Sequence, residues 1–168
     1  MNPVIPARAN FTSSDIAAAC RNYGPGVGPL PAGVDGAQLL WAIAGVESSF
    51  GLNCQPRHEP AYDVGGHYAT HAPMPGLLQA WGPAAACSYG PWQLMLCDAP
   101  VGMTPQGFDS LDGCAKASLA DLNRKLRNFK PQNLAEIGEC WNAGHITPDS
   151  AYTNKLARSY ALPIGVTK

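Results

Sequence analysis

Apolar residues recur along most of the chain at the three- and four-residue spacing of an α-helix, whereas the strict alternation typical of a strand is nearly absent. The pattern therefore predicts a mainly α fold in which any strands are minor. Capping residues and helix breakers bound the apolar runs and indicate where the helices end. The predicted helices cover residues 16–22, 36–50, 76–81, 91–97, 111–129, 133–141 and 151–160.

Several of these helices carry recognisable end signals. Ser14 or Asp15 can cap the first helix, and Asp35 precedes the second as its N-cap. Gly144 ends the helix over residues 133–141, and Pro163 ends the one that follows. These signals come from residues next to each helix, so the ends they mark do not depend on the rest of the fold.

The helix over residues 111–129 has two different sides. Leucines follow one side and charged residues the other: Leu119, Leu122 and Leu126 against Asp121, Arg124 and Lys125. Such a helix buries its apolar stripe and presents its charged side to water. We therefore expect an amphipathic helix at the protein surface.

Between the second helix and residue 89 the helical spacing breaks down, and Gly, Pro, His and Tyr become frequent. A long irregular segment inside a compact domain is uncommon and usually functional, so we expect it to line a cleft. The chain has 168 residues, 46% of them hydrophobic, which suits a single domain with one core. We predict one domain over 1–168, in which 1–34 forms an N-terminal helix and a Gly/Pro-rich loop.

The charge balance narrows the classes of partner. Eleven Lys and Arg residues face twelve Asp and Glu residues, which gives a net charge of -1 and no basic field for a phosphate backbone. Nucleic acid is therefore not an expected partner. No apolar stretch reaches membrane-spanning length, and residues 1–10 lack the features of a secretory signal, so we expect a monomer without membrane insertion.

Six cysteines form an even set without a Cys-x-x-Cys pair, which favours disulfides over a zinc or redox motif. Two pairings are hypotheses, Cys97 with Cys114 and Cys54 with Cys87. Disulfides indicate an oxidising destination although no signal is visible, so we expect either that a signal has been removed or that the protein is released by a route other than general secretion.

Two other kinds of site use residues of the irregular segment and its surroundings. A cysteine peptidase would use Cys54 or Cys87 as nucleophile and one of the four histidines, His58, His67, His71 or His145, as base. A zinc site would use His58, Glu59, His67 and His71, but their spacing matches no helix-borne ligand pair. Neither is the preferred interpretation, and no metal or other cofactor is expected.

One carboxylate interrupts an apolar helix face. Glu47 follows Leu40 and Ile43 by seven and four positions and precedes Phe50 by three, so it lies on the apolar stripe of the second helix. Burial there and the negative end of the helix dipole both disfavour the charged form and should raise the pKa of Glu47. A general acid at neutral pH needs such a shift. The alternative is a buried glutamate held for structural reasons.

Four segments occur in the order seen in soluble lytic transglycosylase domains and related phage-type muramidases, over about residues 35–160. They resemble the Glu-Ser of the catalytic helix, the Gly-Leu-Met-Gln turn, the Tyr-Asn-Ala-Gly turn and the late tyrosine of that family. The segments are Val46-Glu47-Ser48-Ser49-Phe50, Ser88-Tyr89-Gly90-Pro91-Trp92-Gln93-Leu94-Met95, Cys140-Trp141-Asn142-Ala143-Gly144 and Ala151-Tyr152-Thr153-Asn154-Lys155.

This resemblance implies a lysozyme-like helical domain, with a long irregular insertion lining the cleft, that acts on the glycan strands of bacterial peptidoglycan. Glu47 matches the acid that protonates the oxygen between N-acetylmuramic acid and N-acetylglucosamine, and Tyr152 matches a phenol close to that acid. Substrate-binding positions follow in the same way: Ser48, Tyr89, Gln93, Met95, Trp141 and Asn142. For each tryptophan, core packing is the more common role.

The chain departs from the family between Glu47 and Gln93, where residues 52–87 are additional. Within them, Arg57-His58-Glu59-Pro60 resembles the Arg-Phe-Glu-Pro segment of some phage-type muramidases and offers Glu59 as a second carboxylate, with Asp63 as another. Inverting hydrolysis needs such a group at roughly 6.5–9.5 Å from the acid. A lytic transglycosylase needs none, because the muramyl C6 hydroxyl attacks internally. We favour the transglycosylase; a hydrolase and a non-catalytic peptidoglycan-binding or phage structural module are the alternatives.

Overall fold

The computed structural model describes residues 11–147 and 151–167, so the segment 1–10, where no signal was expected, lies outside the described residues. The structure is mainly helical, as predicted. The helices are α1 (Ser13–Tyr23), α2 (Gly36–Ser48), α3 (Met74–Trp81), α4 (Leu111–Phe129), α5 (Leu134–Ala143) and α6 (Ala151–Tyr160). The strands are β1 (Arg57–His58), β2 (Cys87–Tyr89) and β3 (Leu94–Met95).

Helix α2 lies at the centre of the core. Its N-cap is Asp35, as predicted, whose side chain accepts a hydrogen bond from the Gln38 backbone N–H. The stretch 39–44 is buried on every side, and α1 and α6 pack against it. A helix that is apolar all round is stable only inside a core. Glu47 lies in the last turn of α2, so this buried helix fixes the position of its backbone.

The three strands form one small antiparallel sheet in the order β1-β2-β3. Ser88 in β2 pairs with Arg57 of β1 on one side and with Met95 of β3 on the other. The prediction of a helix over residues 91–97 was wrong, because this segment contains β3 and part of the tight turn that joins β2 to β3. Gly90 and Gln93 have φ angles of 70° and 47° in this turn, a left-handed backbone that cannot continue an α-helix.

Helix α4 has the predicted bounds, but its charged side is not wholly at the surface. The side chains of Asp121 and Lys125 are 0% and 9% exposed, whereas that of Arg124 is 47% exposed. The expectation of a solvent-facing charged side was wrong for the first two residues. Their opposite charges pair with each other at 3.0 Å, which allows both to be buried.

The irregular insertion contains more local structure than the sequence indicated. It carries β1, α3 and two short 3₁₀ turns, at Pro60–Tyr62 and Gly82–Ala86. The backbone N–H of Glu59 donates to the Ala86 carbonyl at 2.8 Å, which ties the start of the insertion to its end. The insertion is thus anchored at the sheet, next to α2.

Helices α5 and α6 complete the wall opposite the sheet. Asn133 caps α5, and Gly144 ends it in the left-handed conformation, as predicted. Helix α6 has the predicted bounds and packs on α2 and α5. In the described part of the chain, no helix is both long enough and apolar enough to cross a membrane.

The cysteine side chains are mostly buried. Cys54 and Cys97, one member of each hypothetical pair, are free thiols in the structure. Cys87 and Cys114 donate through Sγ to the carbonyls of Pro83 and Phe108, at 3.5 and 3.2 Å. The disulfide pattern stays a prediction, which peptide mapping under non-reducing conditions can test.

Candidate active site

A cleft of about 460 Å³ opens between the small sheet and the helices α4 and α5. Glu47 lies in its wall, at the end of α2, and Glu59 lies across from the helices on the insertion. The lining residues are Glu47, Arg57, Glu59, Tyr62, Ser88, Gln93, Leu94, Met95, Asp98, Arg124, Lys125, Phe129, Trp141, Asn142, Ala143 and Gly144. Six of the predicted site residues meet here, and Tyr152 joins them through its bond to Glu47.

Glu47 is half-buried and receives two hydrogen bonds from two different helices. Tyr152 of α6 donates its phenol O–H to Oε1 at 2.8 Å, and Trp141 of α5 donates its indole Nε1–H to the same oxygen at 3.1 Å. Helices α5 and α6 pack on one another, so their contact sets the positions of both donors. The carboxyl is therefore held from the core side by two neutral groups.

Burial raises the pKa of Glu47 above its ordinary value of 4.5. The hydrogen bonds from Tyr152 and Trp141, and the charges of Arg57 and Lys125, act in the opposite direction but do not cancel the effect of burial. The direction agrees with the sequence prediction, and desolvation is its main cause. A carboxyl with this shift retains its proton to a higher pH than an exposed one, as a general acid requires.

Burial and the neighbouring Glu47 also raise the pKa of Tyr152 well above 10. The phenol therefore stays protonated and can only donate to the carboxyl under physiological conditions. Because both donors reach Oε1, Oε2 is the oxygen left to carry the proton, as far as the described residues are concerned. The arrangement thus separates a hydrogen-bonded oxygen from one that can give up a proton in the cleft.

Glu59 is held by polar groups of the sheet. Its Oε1 pairs with Arg57 Nε at 2.6 Å and lies 3.0 Å from the Ser88 hydroxyl. That hydroxyl is also 3.0 Å from Gln93 Oε1, and its single proton can serve only one acceptor at a time. Glu59 thus belongs to a charged, partly solvated network, with its side chain 28% exposed.

Asp63 is outside the cleft lining. Its Oδ2 lies 2.8 Å from His58 Nε2, and its Oδ1 accepts the Val64 backbone N–H at 2.7 Å. That backbone bond and His58 lower the pKa of Asp63 below its ordinary value, in that order. Asp63 therefore stabilises a turn of the insertion. Of the two proposed second carboxylates, Glu59 is the better placed to reach a bound substrate, because it lines the cleft.

Besides Trp141, three predicted substrate-binding residues line the cleft. Gln93 is held in place because its Nε2 donates to the Gly90 carbonyl at 2.8 Å, inside the tight turn. Met95 follows in β3 with its side chain largely buried, and Asn142 is exposed at the end of α5. The two amides offer donors and acceptors of the kind that acetamido and hydroxyl groups of a sugar need.

Two other predicted binding residues lie away from the cleft. The buried Ser48 hydroxyl donates to the Ala44 carbonyl and accepts the Gly51 N–H, both at 3.0 Å, at the end of α2. Tyr89 stacks on Phe108 with ring centroids 4.8 Å apart, and its hydroxyl donates to the Ala84 carbonyl. Their contacts position α2 and β2, and a direct role with substrate stays a prediction.

Sequence reasoning missed the ionic network behind Trp141. Lys125 donates to the Trp141 carbonyl at 3.0 Å, and its ammonium lies 5.0 Å from the centre of the indole ring. Asp121 binds Lys125 and also Arg124, which reaches Asp98 at 3.0 Å. The four-residue spacing of Asp121 and Lys125 was the available signal, but it does not distinguish a buried pair from an exposed one.

The residues proposed for other chemistries do not form such a site. Burial raises the pKa of Cys54 to about 11, whereas a nucleophilic cysteine needs a lowered value. Across residues 11–147 and 151–167, no three His, Cys, Asp or Glu side chains come close enough to hold a metal ion.

Comparison with known proteins found no matching family model, no matching curated protein and no matching solved structure. Functional inference therefore depends on the chemistry of the cleft and on the resemblance carried by the four sequence segments.

Proposed function

We propose that this protein cleaves the β-1,4 bond between N-acetylmuramic acid and N-acetylglucosamine in bacterial peptidoglycan, with Glu47 as general acid and base. The supporting observation is convergence. Four segments that resemble one family are far apart in sequence, yet each contributes a residue to one carboxyl or its cleft: Glu47, Gln93, Trp141 and Tyr152. A chance resemblance of separate segments gives no reason for them to meet.

We also infer a lysozyme-like arrangement of the helical domain. A central apolar helix that ends in the catalytic glutamate, with a small sheet beside the cleft, is consistent with that fold. Polar residues line the cleft, and they come from the sheet, α4 and α5 as well as from α2. The protein would act where peptidoglycan is accessible, as a secreted, periplasmic or phage-delivered enzyme.

In the proposed reaction, Glu47 gives its proton to the glycosidic oxygen as the bond from that oxygen to C1 of muramic acid breaks. The C6 hydroxyl oxygen of the same muramic acid then bonds to C1, and its proton passes to the Glu47 carboxylate. The products are a strand that ends in N-acetylglucosamine with a free hydroxyl and a 1,6-anhydromuramic acid end. Glu47 regains its proton, so no other acid or base is needed.

The environment of Glu59 favours this internal attack over hydrolysis. Arg57 and the Ser88 hydroxyl both lie within bonding distance of Oε1 of Glu59, so this side chain already has a role in holding the sheet. One observation favours the alternative of a muramidase: Glu59 lines the same cleft as Glu47 and so could activate a water.

Digestion of purified peptidoglycan, with mass spectrometry of the soluble fragments, tests the proposal. We expect muropeptides that end in 1,6-anhydromuramic acid. Fragments with a reducing muramic acid would instead assign hydrolysis and overturn the internal attack while keeping the substrate. An intact glycan strand after prolonged incubation would contradict the proposed function itself.

A further inference from the structure

Four aromatic rings of the insertion form a cluster next to the cleft. Tyr68 is its centre, with ring centroids 4.9 Å from Tyr62, 4.7 Å from His67 and 5.7 Å from His71. The two histidine rings are 5.6 Å apart. The cluster is held by short backbone bonds, among them Tyr68 N–H to the Ala61 carbonyl at 2.7 Å.

Packing of the insertion alone does not account for this cluster. A local core buries its rings, but Tyr68 is 42% exposed and both histidines are exposed. The neighbouring Val64 is 84% exposed as well. Grouped aromatic and apolar side chains that remain open to water, with polar groups around them, are typical of a surface that binds something.

Tyr62 connects the cluster to the cleft. It lines the cleft beside Glu59, and its ring contacts Tyr68 on the side of the insertion. Burial raises the pKa of Tyr62 to about 12, and the charges of Asp98 and Glu59 contribute to the increase. Tyr62 therefore lies at the edge where the polar cleft changes into the aromatic surface.

We propose that Tyr62, Tyr68, His67 and His71 form an aromatic platform that binds an additional sugar unit of the glycan strand beyond the cleft. This inference depends on the proposed function, because it takes the occupant of the cleft to be a polysaccharide. The continuity at Tyr62 identifies the occupant of the platform as the same strand. All four residues lie in the segment 52–87, which is additional to the compact transglycosylase pattern.

The chemistry of the platform suits a sugar ring. An aromatic face covers the apolar C–H face of a sugar, and a phenol or imidazole at the edge binds its hydroxyls. Tyr68 offers a partly exposed ring with a hydroxyl, and His71 offers a ring with two nitrogen atoms. The platform therefore predicts that affinity depends on strand length.

Binding of N-acetylglucosamine oligomers to the Glu47→Gln protein, measured by calorimetry, tests this inference without turnover. In that background, Tyr68→Ala should weaken a hexasaccharide by about tenfold, which is the size of one aromatic contact. A disaccharide, which is too short to reach from cleft to platform, should change by less than about twofold. Tyr68→Phe keeps the ring and should bind the hexasaccharide nearly as the parent does.

Further variants separate the possible outcomes. His71→Ala, at an exposed position, repeats the test should Tyr68→Ala disturb the insertion. Val101→Ala is the control at an exposed position outside both the ring cluster and the cleft lining. Equal affinity of the parent, Tyr68→Ala and His71→Ala for the hexasaccharide would overturn the platform alone. A loss seen only with peptide-bearing strands would also overturn it and assign the surface to the stem peptide. No binding of any oligomer or strand would overturn both proposals.

Discussion

Glu47 and Glu59 line one cleft but are held by different kinds of structure. Glu47 ends a buried helix, and neutral donors from α5 and α6 reach it. Glu59 follows a two-residue strand of the insertion, where Arg57 and Ser88 bind it. The same side chain is thus desolvated at one site and charged and partly solvated at the other.

This difference indicates a division of roles. Desolvation raises the pKa of Glu47, which suits an acid. Glu59 is bound by Arg57 and Ser88 of the sheet, which suits a group that organises the cleft or, in the alternative mechanism, orients water. Under the proposed function, the helical frame would supply the acid and the insertion would shape what the cleft binds.

The largest predicted effect concerns the contribution of one ion pair in each region to the free energy of unfolding. Lys125→Met should lower the free energy of unfolding by about 3 kcal/mol, because Asp121 loses a buried partner. The matched change in the insertion, Arg57→Met, should cost less than about 1 kcal/mol, since that pair is exposed to solvent. Urea unfolding followed by tryptophan fluorescence measures both, and equal losses would contradict the contrast.

A second prediction concerns the donors of Glu47. Tyr152→Phe removes a hydrogen bond to the carboxylate, so the pKa of Glu47 should rise further and the alkaline limb of the rate profile should move to higher pH. The rate should fall about tenfold, the usual value of one hydrogen bond to a charged group. Tyr160→Phe, on the same helix but bonded to Asp35, is the control. An alkaline limb that stays in place, or moves to lower pH, argues against the assignment.

The raised pKa also makes a prediction for stability. Between the unfolded pKa of Glu47, near 4.5, and its higher folded value, the native state binds more protons than the unfolded state. Stability should therefore fall as pH rises through this window. Gln does not ionise, so Glu47→Gln should match the wild type in acid and become the more stable protein above the window. Unfolding curves over a pH series measure the difference in stability between the two proteins. If the wild type remains as stable as Glu47→Gln above the window, the pKa of Glu47 is not raised.

The smallest predicted effect is that of Glu59. Internal attack does not use this carboxylate for proton transfer, so Glu59→Gln should lower the rate by less than about tenfold and leave the anhydro products unchanged. Asp63→Asn, outside the cleft, is the matched control and should have no effect on the products. A hundredfold loss for Glu59→Gln alone would favour the muramidase.

Local signals allowed much of the helical frame to be predicted. Asp35 and Gly144 mark helix ends through contacts within a few residues, and α4 and α6 have the predicted bounds. The position of Glu47 on an apolar face followed from the same periodicity. The hairpin of β2 and β3 was missed because a short apolar run fits either period, and only the pairing of β3 with β2 favours a strand.

The sequence predicted the candidate site only in part, because some of its contacts join elements that are distant in sequence. The resemblance pointed to Glu47, Gln93, Asn142 and Tyr152, and it gave Trp141 only a substrate-binding role. Its indole N–H reaches Glu47 because α6 packs on both α2 and α5, and no local pattern encodes these contacts. The burial of Asp121 and Lys125 depends likewise on partners from other elements.

The most direct test of the central claim compares wild type and Glu47→Gln, at equal concentration and both shown to be folded, on purified peptidoglycan. The measurement is the rate at which soluble muropeptides are released. We predict that the wild type releases fragments ending in 1,6-anhydromuramic acid and that Glu47→Gln is at least about a hundredfold slower. Release at the same rate by both proteins would show that Glu47 is not the proton donor.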